Sequence, residues 1–142
     1  MKRLLNIIPV LVILTAMACS KGSPATTSPP NPNPPPPAKD TTVLQGSFTS
    51  GAHITTGQAV VKTVGGVKKL LLESFKTDAG PDLYVYLATN KTASSFINLG
   101  VLKSTTGNQE YSIPGSPDYS KYQYVLIWCQ QFGVLFGSAE LK

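Results

Sequence analysis

The chain has 142 residues, with twelve Lys or Arg, seven Asp or Glu and one His, for a net charge of +5. That length suits one domain with appendages, and the folded part is less basic than the whole, because from residue 41 onward eight lysines face six carboxylates and leave +2. Lys68 and Lys69 are the only adjacent basic pair there, which argues against the clustered footprint of a nucleic-acid binder.

The chain opens with Lys2 and Arg3, an apolar run from Leu4 to Leu14, and 16-AMAC-19. Charged, apolar and small-residue regions in that order predict a secretory signal peptide over residues 1–18. The apolar run is about half of the roughly 20 residues that span a bilayer, and no later segment is long or apolar enough. Cys19, directly after the cut, resembles the lipobox cysteine of bacterial lipoproteins, with Ala16 where that family usually carries Leu. The resemblance implies diacylglycerol on Cys19 and a lipid-anchored protein of the bacterial cell envelope. Ser20, where inner-membrane lipoproteins tend to carry Asp, implies the outer membrane. The alternative is plain secretion, which leaves an unmodified thiol at Cys19.

Residues 19–40 continue as a tether. Ser20 to Asp40 reads SKGSPATTSPPNPNPPPPAKD, with eight prolines and no aromatic or large aliphatic residue. It cannot bury enough apolar surface to offset the entropy of ordering. Proline biases it to polyproline II, a disordered but semi-stiff spacer of roughly 60 Å.

From residue 41 to 142 the pattern is all-β. Short runs of Val, Ile, Leu, Tyr and Phe recur between turn residues every ten positions or so, as in an antiparallel β-sandwich or barrel of about eight strands. The expected strands are Val43–Thr49, Gln58–Val64, Val67–Phe75, Leu83–Ala88, Phe96–Lys103, Gln109–Ile113, Tyr124–Cys129 and Val134–Leu141. Gly65-Gly66 supplies a two-residue hairpin turn, and Pro81 in 78-DAGPD-82 places a strand start just after it. In Tyr124–Cys129 alternation puts Tyr124, Leu126 and Trp128 on one face and Val125, Ile127 and Cys129 on the other. Both faces are apolar, so this strand is expected to be central.

Chemistry-bearing residues are few. His53 is the only histidine, so any Ser/His/Asp or Cys/His arrangement has to use it. No G-x-S-x-G elbow, paired-cysteine motif or phosphate-cradling glycine loop occurs. Zinc asks for three or four ligands, and the domain offers one His and one Cys. Asp78 and Asp82 flank a turn, where aspartates either cap the backbone or offer oxygens to calcium. Cys129 remains. It reads either as a small buried hydrophobe or, in an exported domain where a lone thiol risks oxidation, as a useful group. Its uses are a thiolate ligand to haem iron or a redox thiol working by exchange. A disulfide to Cys19 is a further reading if Cys19 escapes lipidation.

Four segments carry a resemblance to a known family: 46-GSF-48, 73-ESFKTDAGPDLYVYLA-88, 98-NLGVLKSTTGNQEYSIP-114 and 122-YQYVLIWCQQFGVLFGSAEL-141. They resemble the DM-thirteen domain, found in extracellular proteins and bacterial lipoproteins. The resemblance implies an all-β domain with an electron-transfer or redox role centred on Cys129, through a naked thiol or a prosthetic group such as haem. With no second redox domain in the chain, it also implies a redox partner in trans. The alternative is a non-enzymatic binding or scaffold module whose cysteine fills the core.

Overall fold

Eight antiparallel strands, labelled in chain order, build the domain: β1 (Thr41–Ser50), β2 (Thr55–Val64), β3 (Val67–Thr77), β4 (Leu83–Ala88), β5 (Phe96–Val101), β6 (Thr106–Ser112), β7 (Tyr124–Cys129) and β8 (Val134–Glu140). The computed structural model describes residues 40–142, and no helix occurs among them. The expected signal peptide, Cys19 and the tether up to residue 39 lie outside the described residues.

The strands hydrogen-bond in the order β5-β4-β7-β8-β1-β2-β3-β6. This sheet curls until its edge strands, β5 and β6, approach each other in a nearly closed barrel. Side chains of β6 tie down the connection that follows β5. Gln109 Nε2 donates to the Ser104 carbonyl at 2.6 Å, its Oε1 accepts from Ser104 N at 3.2 Å and from the Tyr111 hydroxyl at 2.7 Å, and Lys103 N donates to that hydroxyl at 3.0 Å. A buried Gln is tolerable because its amide is paired on both sides.

Alternation decides what lies inside. Val85 and Leu87 of β4, Val125 and Ile127 of β7, Ala59 and Val61 of β2 and Leu70 and Leu72 of β3 are all fully buried in one cluster. Each of the larger side chains contributes about 1.5–3 kcal/mol relative to exposure. β7 lies between β4 and β8, the central position its two apolar faces call for. Its other face, with Leu126, joins Tyr86 and Ala88 in a second cluster, against which Tyr84, Tyr124, Trp128, Ala93 and Leu135 pack. The connection between β4 and β5 brings Ala93 onto this outer face and is pinned by Asn90. Asn90 Oδ1 accepts from Thr92 N at 3.1 Å and Ser94 N at 3.3 Å.

Candidate functional site

The connections 51–54, 78–82, 102–105 and 130–133 gather at one end of the barrel. Backbone bonds join them in sequence: Gly51 N to Phe136 O at 2.8 Å, Gln130 N to Asp82 O at 2.9 Å, Leu102 N to Leu83 O at 2.8 Å and Thr77 N to Thr105 O at 2.9 Å. Cys129, the last residue of β7, belongs to this end.

Cys129 stands in register with Leu83 of β4 and Val134 of β8. Lying two positions beyond Ile127, its side chain shares the interior face. It is a free cysteine, 1% exposed, within the same buried cluster as Leu83, Val85, Ile127 and Phe136. The strand ends there because Gln130 turns to bond Asp82 and the chain reverses through Phe132 and Gly133. Phe132 is left 65% exposed.

Residues from the 51–54 and 78–82 connections pack together at this end with Leu83 of β4 and Phe136 of β8. A Cβ at Gly80 would lie 2.8 Å from Phe136 Cζ and 2.9 Å from Leu83 Cδ2, so Gly80 is packed against both. The His53 ring stacks on the Phe136 ring, with centroids 3.9 Å apart and planes 21° from parallel. His53 Nδ1, carrying the proton, donates to Asp78 Oδ2 at 3.3 Å. Beneath this layer the buried Thr55 Oγ1 accepts from Thr77 Oγ1 at 2.9 Å and donates to the Phe136 carbonyl at 3.1 Å. Leu83, Gly80, Phe136, His53 and Asp78 thus form a continuous plug beside the strand end that carries the sulfur.

Of the residues singled out from the sequence, His53 and Asp78 come together at this end, near the β7 terminus. Asp82 does not join them. Its carbonyl holds Gln130, and its charge acts on Tyr86, whose pKa is raised first by burial, then by Tyr84 and Asp82. Among the described residues no group of three or more His, Cys, Asp or Glu converges to hold a metal ion. Phe136 and Gly80 carry no sequence signal of their own. An aromatic in an apolar strand and a glycine in a turn are ordinary, and only the folded arrangement makes them a seal.

The surroundings of Cys129 do not fit a haem. A thiolate ligand needs an open space beside sulfur for a flat macrocycle. Here the side chain is enclosed in a packed cluster of aliphatic and aromatic residues, in a core of near-crystalline density.

A family model described as Electron transfer DM13 matches residues 47–141. No curated protein and no solved structure matches the chain.

Proposed function

The chain belongs to the electron transfer DM13 family, and from that premise we propose a redox module of the bacterial cell envelope that acts through the thiol of Cys129. The observation that carries this reading is the position of the domain's one cysteine. It lies at the end of a strand, in register with Leu83, against which Gly80 of the 78–82 connection packs, rather than in mid-strand at the barrel's waist. A thiol so placed is silent while the plug is closed and becomes available when one end of the barrel opens, without loss of the rest of the fold. Local openings of this kind cost less than global unfolding.

The chemistry is thiol–disulfide exchange. The Cys129 thiolate attacks one sulfur of a partner disulfide in trans. The new S–S bond forms as the partner's breaks, and the displaced sulfur leaves as a thiolate that takes up the proton lost by Cys129. A second thiolate attacking the partner-side sulfur of the mixed disulfide returns Cys129 to its reduced form.

The proposal includes anchoring through lipid on Cys19, in the outer membrane, with residues 19–40 as the spacer. Two or three acyl chains at about 0.8 kcal/mol per buried methylene anchor a protein stably. Intact-mass analysis of the mature protein tests it: acyl mass on Cys19 supports the anchor, and an unmodified N-terminus removes it.

Burial favours a second reading, in which Cys129 fills the core of a scaffold or binding module. A redox titration of the full chain in graded reduced and oxidised glutathione, followed by thiol trapping and mass analysis, separates the two. The redox reading expects one thiol at residue 129 to titrate in the folded state and to be lost in Cys129→Ser. The scaffold reading expects none to titrate until denaturant is added.

A further inference from the structure

Among the described residues the large hydrophobic side chains that stand furthest out are Ile54 at 66%, Phe132 at 65% and Val101 at 57%. All three lie at the barrel end that carries Cys129. Ile54 is in the 51–54 connection, Phe132 is in 130–133, and Val101 ends β5 opposite Tyr84. Scattered apolar side chains are ordinary on a protein surface, but these three are joined. Tyr84 stands opposite Trp128 and Trp128 opposite Leu135, all half-buried. The Leu135 carbonyl accepts from Ala52 N at 2.9 Å, which ties this row to the loop of Ile54.

Two carboxylates flank the apolar rim. Asp78 is 52% accessible beside His53, and the charge of Asp82 reaches Tyr86 on the outer face. Among the described residues neither makes an ion pair with a lysine. Lys103, from the 102–105 connection, is engaged instead with the Glu110 carbonyl and the Tyr111 ring. The chain enters the barrel from the other end. β1 starts at Thr41, paired with Thr63 beside the Gly65-Gly66 turn, and runs from there to Ser50. The residues before Asp40 therefore join the barrel opposite Cys129 and leave the apolar end clear of the attachment.

We propose, resting on the redox reading of Cys129, that this end is the docking surface for the disulfide partner, a protein segment whose cystine is flanked by apolar side chains and by lysine or arginine. Phe132, Tyr84 and Trp128 supply the aromatic contact in which protein interfaces are enriched. Asp78 and Asp82 attract the partner's cations and repel an acidic competitor. A phospholipid surface fits less well, because the carboxylates would lose water without gaining a partner. In the exchange the Cys129 sulfur bonds to one partner sulfur as the partner's S–S bond breaks. The other partner sulfur leaves as a thiolate and takes up the proton that Cys129 gave up.

Docking is read without exchange by titrating the isotope-labelled full chain with the S-methylated peptide Lys-Leu-Cys-Leu-Lys. Its counterpart Glu-Leu-Cys-Leu-Glu and zwitterionic phospholipid vesicles are titrated in parallel. Saturable amide shifts centred on residues 51–54, 78–82 and 130–133 are expected with the lysine peptide alone. Ile54→Ser and Phe132→Ser, both at exposed positions, should each weaken them at least fivefold while the thermal transition persists. Exchange is then timed with the disulfide dimers of both peptides and with neutral hydroxyethyl disulfide, each rate divided by that of the chain unfolded in urea. The lysine dimer should outpace the glutamate dimer at least fivefold at low salt, a gap that closes at about 1 M salt. No saturable shift with the lysine peptide, equal shifts or rates for the two peptides, shifts unchanged in both variants, or a response to vesicles alone overturns the docking surface. Docking without any exchange, even of hydroxyethyl disulfide, overturns the redox reading and with it the assignment of a disulfide partner.

Discussion

Leu83 and Cys129 occupy the same register step of β4 and β7, and Leu83 is also the residue on which Gly80 rests. One leucine therefore links the thiol to the loop that closes the barrel end. A movement of the 78–82 loop that frees Leu83 is expected to loosen the core packing that Cys129 shares. The stack of His53 on Phe136 and the bond from His53 to Asp78 hold that loop down from the far side.

The clasp predicts a rate. The His53–Asp78 pair is exposed, with side chains 40% and 52% accessible, so by itself it contributes about 0–1 kcal/mol. The ring stack adds about 0.5–1.5 kcal/mol. His53→Ala should therefore speed labelling of Cys129 by a water-soluble disulfide roughly 5- to 30-fold under native conditions, the change in opening equilibrium for one to two kcal/mol. Asp78→Asn should speed it less. Labelling kinetics with global stability measured in parallel make the check, and equal rates in all three proteins would remove the clasp.

Gly80→Ala introduces a methyl into space already filled by Phe136 and Leu83. Overpacking of this kind costs about 1–3 kcal/mol. The expected outcome is a lower midpoint in chemical denaturation together with faster Cys129 labelling, since the displaced atoms are those of the plug.

Cys129→Ser exchanges a small hydrophobe for a hydroxyl that must find a partner among apolar neighbours. A stability loss of about 1–3 kcal/mol is expected, read as a fall of the melting temperature. Cys129→Ala should lose less. Both should abolish redox titration, so that activity and stability separate between the two variants.

Alkaline pH should weaken the fold. Tyr86, Tyr111 and Tyr119 all have their pKa raised, in each case first by burial. The lysine backbone N–H that bonds Tyr111 pulls the other way. The Tyr119 hydroxyl is buried without a partner. A raised folded pKa means that the folded state holds its proton longer than the unfolded chain. The contribution is thus fully present below about pH 10, the ordinary tyrosine value, and is lost as pH rises above it. Stability measured from pH 8 to 11.5 should be flat at first and then fall. A spectrophotometric titration should show part of the six tyrosines ionising late, and a simple single transition at the ordinary value would contradict the burial.

Much of the fold was legible in the residue pattern. Leu83–Ala88 and Tyr124–Cys129 have the expected bounds, and Val134–Glu140 ends one residue short of the expected strand. Alternation reports on burial directly, so the two faces of β7 were readable. Two of the misjudged starts share a cause. β2 starts at Thr55 rather than Gln58 because Gly57, at φ +109°, lies in a bulge opposite the β3 irregularity near Ser74 instead of ending the strand. β6 likewise starts at Thr106, ahead of Gly107. A glycine in a bulge and a glycine in a turn look alike in sequence. The plug was not legible at all, since His53 and Asp78 are 25 positions apart and meet only once the barrel closes. The burial of Leu126 on the outer face was equally hidden, because it depends on the β4–β5 connection folding back over the sheet.

The most direct test of a redox role for Cys129 is the rate at which the folded full chain forms a mixed disulfide with glutathione disulfide, followed by intact mass and compared with the independently measured rate of global unfolding. The redox account predicts a single adduct at residue 129 that accumulates faster than the protein unfolds and faster still in His53→Ala. Adduct formation only at the unfolding rate, unchanged by His53→Ala, would contradict it and leave Cys129 as a packing residue of the core.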